Sequence, residues 1–233
     1  MSFETTHAVV TGASRGLGRA LAEELAARGA GVVLVARRGA DLAPVVDGIR
    51  ARGGRAWALA ADVADPGAAV TIAAAAATFA GPVNLLINNA STLGAVPLPL
   101  LLDLPAEALE RTLQVNVVGP FRLTRALAGP MVLGDGGTVV NISSDAAVEA
   151  YPTWGGYAAS KAALDHLTRT WATELEGTGV RFLAVDPGEM DTRMHAAAVP
   201  DADPADLEDP RDVARSIVEL VADPAIPSGR LAA

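Results

Sequence analysis

Thr11-Gly12-Ala13-Ser14-Arg15-Gly16-Leu17-Gly18 directly follows an apolar run, residues 7–11, and opens an Ala- and Leu-rich helical stretch. A strand that feeds a glycine turn into a helix aims backbone amides and the positive end of the helix dipole at one point. That arrangement holds a pyrophosphate. The glycines are spaced G-x-x-x-G-x-G rather than the commoner G-x-G-x-x-G. A lone glycine-rich loop is often only a turn, so it is the flanking strand and helix that make this one a dinucleotide-binding candidate.

Outward from this loop, short apolar runs recur between Ala-rich stretches, at residues 7–11, 31–36, 55–60, 85–88, 138–143 and 180–186. Strands that read as continuous apolar runs are buried on both faces, and helical crossovers between them make the sheet parallel. Helices are expected from about Gly16, Ala40, Pro66, Pro105, Gly156 and Pro210. Asp65-Pro66 and Asp209-Pro210 each place a capping carboxylate before a proline suited to the first helical position. Residues 73–77 are low in complexity but read as an ordinary packed helix between Ile72 and Phe79. The fold class is therefore α/β, a doubly wound parallel sheet in a single domain over residues 1–233.

Composition narrows the functions. The chain has 233 residues, 51% of them hydrophobic, enough for one sizeable core. A net charge of -9 argues against a nucleic acid or an anionic membrane surface as partner. With no cysteine, thiolate catalysis and thiolate metal sites are excluded, and His7, His166 and His195 make no ligand spacing, so no metal is expected. Residues 1–10 lack a basic start and an apolar core, and no apolar run reaches the length of a membrane span. A soluble cytoplasmic protein is expected.

Ser144, Tyr157 and Lys161 stand thirteen and four residues apart, and on a helix the last two share a face. An ammonium ~4 Å from a phenol at an effective dielectric of ~20 is worth roughly 4 kcal/mol, or about three pKa units. That would bring a tyrosine down toward neutral pH. Taken alone, the pair reads equally as a solvated helix face with the lysine stem packed on the ring.

Together these motifs resemble the short-chain dehydrogenase/reductase family in its single-domain form. The resemblance rests on the glycine loop, on Asn88-Asn89-Ala90 after the fourth strand, and on Asn116 in Gln114-Val115-Asn116-Val117. Ser144 with Tyr157 and Lys161, and Pro187-Gly188 followed by Thr192, complete it. It covers nearly the whole chain. It implies seven strands in the order 3-2-1-4-5-6-7, with a nicotinamide cofactor held by residues 12–18, by Asp62 and Val63 at the adenine, and by residues 88–90. Tyr157 and Lys161 then face the ribose and nicotinamide, with Pro187, Gly188, Met190 and Thr192 on the nicotinamide side.

In NAD-using members an acidic residue ends the second strand and accepts the ribose hydroxyls. Here Ala36 stands at that position, Arg37 and Arg38 follow it, and Arg15 lies in the glycine loop. Cations where a carboxylate would repel a 2′-phosphate favour NADP(H) over NAD(H). The alternative reading of Arg37 and Arg38 is a solvated pair of loop charges.

The implied reaction is hydride transfer between NADP(H) and a small-molecule carbonyl or secondary alcohol. Tyr157 would act as general acid or base, Lys161 would lower its pKa, Ser144 would bond the reacting oxygen, and Asn116 would complete a water-linked relay. Ser143 rivals Ser144, and the thirteen-residue spacing to Tyr157 favours Ser144. A non-catalytic NADP(H)-binding sensor or scaffold of the same fold is the alternative; it would not need the relay.

Residues 189–209, rich in Asp, Pro and Ala, read as a substrate lid or as a solvated acidic connection, with position favouring the lid. Tyr151 and Trp154 either stack a substrate ring or pack at an interface, and Leu98, Leu100, Leu101 and Leu102 suggest an apolar wall or an interface. The substrate pocket is expected from residues 91–104, 145–154 and the segment after Glu189. A homodimer or homotetramer is implied through helices within 105–127 and 156–175, with Trp171 and Leu164 serving either that interface or the core. Two departures stand out: Ser91 where a glycine commonly follows Asn-Asn-Ala, and residues 228–233, which end in the expected seventh strand without the usual glycine-rich tail.

Overall fold

A computed structural model describes residues 3–233. Seven strands, β1 (His7–Thr11), β2 (Gly31–Ala36), β3 (Arg55–Ala60), β4 (Leu85–Asn88), β5 (Gly137–Ile142), β6 (Val180–Asp186) and β7 (Gly229–Ala232), form one sheet in the order β3-β2-β1-β4-β5-β6-β7. Every neighbouring pair is parallel. The helices are α1 (Gly16–Ala27), α2 (Ala43–Ala51), α3 (Ala68–Phe79), α4 (Ala106–Leu113), α5 (Gly119–Leu133), α6 (Gly155–Glu174), α7 (Arg193–Ala198) and α8 (Pro210–Ala222). The result is a single Rossmann-like domain.

Alternate residues of each strand feed two cores. Val10, Leu34, Ile87 and Leu183 pack with Leu21, Leu25, Ile49, Ile217 and Val218 of α1, α2 and α8. Their neighbours Val9, Val33, Leu86 and Phe182 pack with Ile72, Leu123, Leu127 and Met131 of α3 and α5. This is why the strands read as unbroken apolar runs. Trp171 lies between Phe121 and Phe182, with centroids 6.0 and 6.2 Å away, and packs on the second core; Leu164 is buried. The chain steps outward from β1 to β3 and then returns to β4. This reversal opens a crevice at the carboxyl ends of β1 and β4, where such sheets bind ligands.

Local expectations are corrected at two places. Helix α3 begins at Ala68 rather than Pro66, and Asp65 makes no capping bond. Two successive tight turns, Asp65 N to Asp62 O at 2.9 Å and Ala68 N to Asp65 O at 3.1 Å, spend that stretch of chain before the helix starts. Asp209-Pro210 does behave as read, since Asp209 accepts the Arg211 amide and Pro210 is the first helical residue. Residues 189–209 contain α7 and a turn at Pro204–Asp206, capped by Thr192 and Asp203. The polar residues that hid periodicity there are the caps themselves. Glu208 closes the base of the segment, its amide on Glu189 O and its carbonyl on the Asp191 amide, both at 3.0 Å.

Candidate active site

The crevice is built from backbone against backbone. A Cβ added at Gly18 would lie 2.3 Å from Asn89 Nδ2 and 2.4 Å from Gly12 O, and one at Gly12, whose φ is +66°, would lie 2.9 Å from Ala90 Cα. Any side chain there would push the loop off β4. Thr11 Oγ1 accepts the amides of Asn89 and Ala90, each at 3.0 Å, and Asn89 Nδ2 donates to Thr11 O at 2.9 Å. At Gly16 the situation differs: an added Cβ would meet only Thr192, at 3.4 Å, which leaves a ledge between the loop and the segment after β6. No side chain caps α1, so its first amides face that ledge without a side-chain acceptor. A glycine cradle with unclaimed donors suits a phosphate group. Ser14, Arg15 and Leu17 complete the loop, with Arg15 exposed and Leu17 buried.

Asp62 follows β3 and accepts from the Ala64 amide at 3.0 Å and from Arg111 Nη2 at 2.7 Å. Burial pushes its carboxyl up, but these bonds and the nearby Arg37 charge outweigh it and leave the pKa below the usual value. The turn through Val63 packs so closely on α5 that a Cβ at Gly119 would lie 2.7 Å from Val63 O. Arg37 and Arg38 are exposed past the end of β2. Arg38 is tied to Asp41 at 2.7 Å, whereas Arg15 and Arg37 make no ion pair among the described residues.

At the end of β5 the two serines part. Ser143 is buried and donates to Asp165 Oδ1 at 2.5 Å, whereas Ser144 caps the turn Asp145–Ala147 and acts to lower the pKa of Tyr157. Ser144 Oγ also donates to Asp145 Oδ1 at 2.9 Å. One turn along α6, Lys161 donates from Nζ to Ile142 O at 2.6 Å and sits 5.6 Å from the centre of the Tyr157 ring. Lys161 is the only lysine in the chain.

The expected downward pull of Lys161 on Tyr157 does not govern this pair. Burial dominates both groups: it pushes Tyr157 up to about 12, against the opposing effect of Ser144, and pulls Lys161 down to about 8, against Asp165 and Asp186. A Coulomb attraction estimated for a half-wet helix surface loses to desolvation once both side chains are inside.

Asn116 lies in a π-helical turn, Gln114–Val118, a distortion frequent at functional sites. Its Nδ2 donates to Thr92 O and to Ser160 Oγ, both at 2.9 Å, and its Oδ1 accepts the Thr92 amide and the Ser91 hydroxyl. Asn116 thus has no direct bond to Lys161, and Ser91 is part of its support. Asn88, buried, bonds Asn141, which bonds Thr168 on α6.

Beside Tyr157 lies a small apolar cluster of Leu93, Ala146, Leu98, Trp154, Met194 and Ala198. Trp154 meets the Tyr157 ring edge-on at 5.7 Å. Tyr151 is exposed and donates to Asp145 at 2.8 Å, and Leu100, Leu101 and Leu102 are exposed. Past β6, Pro187-Gly188 turns with Gly188 at φ +67°, Met190 packs on the first core, and Thr192 caps α7. Sequence reasoning missed Thr11, Ser160, Asp165 and Arg230. Ser160 and Asp165 sit one turn from named residues on α6, and Thr11 directly precedes Gly12 in the glycine loop, signals that were available; Arg230 carried none.

The family profile for short chain dehydrogenases matches residues 6–203. A short chain dehydrogenase of Pseudocercospora fijiensis is 40% identical over 192 residues, 81% of this chain but 61% of that protein, so the chain spans less than two thirds of this relative. An NADPH-dependent aldehyde reductase-like chloroplastic protein of Arabidopsis thaliana is 35% identical over 80% of the chain and 73% of its own length. Among solved structures, a 7α-hydroxysteroid dehydrogenase complexed with NADH and 7-oxo glycochenodeoxycholic acid superimposes with a TM-score of 0.91 at 28% identity, covering all of this chain and 94% of that one. The chain belongs to the short chain dehydrogenase family. No helix among the described residues is long and apolar enough to cross a membrane, and no cluster of three or more potential metal ligands occurs among them.

Proposed function

We propose that the protein is an oxidoreductase that interconverts a small-molecule carbonyl and its alcohol with NADP(H), using Tyr157 as general acid and base. The observation that carries this reading is the buried Tyr157, one helical turn from Lys161, whose Nζ lies 5.6 Å from the ring centre, with Ser144 acting to lower the pKa of the tyrosine. When bound, the nicotinamide supplies or accepts the hydride. The amides of residues 12–18 would hold the pyrophosphate, with Asp62 and Val63 at the adenine. Asn89, Ala90, Lys161, Pro187, Gly188, Met190 and Thr192 would line the ribose and nicotinamide. Tyr157 gives its proton to the carbonyl oxygen, Ser144 stabilises the charge that develops there, and Lys161 answers the negative charge left on the ring.

NADP(H) is favoured because Ala36 offers no carboxylate at the end of β2 while Arg15 and Arg37 are exposed and unpaired. Asp41 competes for Arg38, so Arg37 is the principal 2′-phosphate contact. Similar proteins use either cofactor, since one is NADPH-dependent and another was complexed with NADH. The ratio of Michaelis constants decides: NADPH should bind at least about tenfold more tightly than NADH, and Arg37→Ala should abolish the difference. Equal constants in the unmodified protein would refute the preference.

The apolar cluster around Trp154 and Leu98 supports an apolar substrate portion beside Tyr157, and residues 189–209 would cover it as a lid. A homodimer or homotetramer through α4, α5 and α6 is the matching assembly, to be checked by sedimentation. Screening aldehydes, ketones and cyclic ketones with NADPH identifies the substrate class. Tyr157→Phe should abolish reduction by whichever substrate emerges while leaving NADPH binding largely intact; retained turnover would overturn the role of Tyr157.

A further inference from the structure

Arg230 lies on the last strand, far in sequence from every candidate site residue, yet its guanidinium reaches the centre of the site. Nε donates to Asp165 Oδ2 at 3.0 Å, and Nη2 donates to the Ser144 carbonyl at 2.8 Å and to Asp186 Oδ2 at 3.2 Å. Its charge also acts on Asp145. Asp165 is almost completely buried and holds Ser143 with its other oxygen. The three carboxylates come from three places: the turn after β5, α6, and the end of β6. The groups they face are Tyr157, which feels Asp145 and Asp186, and Lys161, which feels Asp165 and Asp186.

We propose that Arg230 is a positioning residue of the site, fixing the Ser144 backbone and serving as common counter-ion to the three carboxylates that surround Tyr157 and Lys161. This rests on the reading of Tyr157, Ser144 and Lys161 given above. Two uncompensated carboxylates beside Lys161 would hold its proton more tightly, and Asp145 with Asp186 would likewise disfavour ionised Tyr157. Arg230 keeps both groups within reach of proton exchange. β7, which otherwise closes the sheet edge, thereby becomes part of the catalytic support.

Because Lys161 is the only lysine, isotopically labelled lysine gives one side-chain resonance, and its titration needs neither substrate nor cofactor. In the unmodified protein the midpoint is expected at about 8. Arg230→Met should raise it by about one unit, and Arg230→Met with Asp165→Asn should bring it back toward the starting value. A structural role alone would not produce that reversal. Arg230→Gln, which keeps a donor for the Ser144 carbonyl but loses the charge, should show the same rise and serves if the methionine variant does not fold. An unchanged midpoint in the folded variants would overturn the proposal. Turnover by Tyr157→Phe would sink the reading of the site instead, and the lysine titration is independent of that result.

Discussion

A phenol donates its proton usefully only if the phenolate left behind is tolerated, and the Tyr157 pocket alone does not tolerate it. Burial opposes ionisation, while the Ser144 hydroxyl favours it. Ser144→Ala should therefore lower kcat about 10²- to 10³-fold, the usual cost of one donor at a developing oxyanion, with the Michaelis constant for NADPH nearly unchanged in steady-state kinetics. Thr153 illustrates strain at the same scale. A β-branched residue at φ +72° two residues before α6 is a genuine outlier. Thr153→Gly should relieve it and raise the unfolding free energy by about 1 kcal/mol in urea titrations. A fall in stability would mean the threonine side chain contributes more than its backbone costs.

Among the elements, the glycine loop behaves as a mortise joint between β1, α1 and β4. Gly18→Ala would place a methyl group 2.4 Å from a backbone oxygen that cannot move without moving β1. A loss of about 3 kcal/mol is expected from chemical denaturation, together with loss of cofactor binding by fluorescence titration. This joint explains what the sequence could and could not disclose. Gly12 and Gly18 were legible because a local spacing encodes a local backbone geometry, and the parallel sheet followed from alternating apolar runs, whereas the strand order and Asn89 came from the family resemblance. The depth of Tyr157 was not legible, because burial depends on Trp154, Leu93 and Met194 converging from three separate segments. The same holds for Arg230, whose partners lie 44 to 86 residues away. The helix inside residues 189–209 was hidden for the opposite reason: its capping residues are the ones that mark loops.

For the whole molecule, the site's electrostatics become a dependence of stability on pH. Lys161 has a pKa of about 8 in the folded chain against an ordinary value of 10.5, so between those values the unfolded chain binds more protons and stability rises with pH. Tyr157, at about 12 folded against 10 unfolded, has the reverse effect: above pH 10 the folded chain binds more protons, and stability falls. These two groups together place a maximum near pH 10, with a rise of up to about 3 kcal/mol from pH 7.5 contributed by Lys161. Urea unfolding across that range should show the rise, and Lys161→Met should flatten it while removing activity. An unmodified protein with no such slope would mean that Lys161 is hydrated and its ammonium costs nothing to bury. If the slope is present, the only lysine in the chain is held charged at neutral pH against the stability of the fold, and its retention is a cost borne for chemistry.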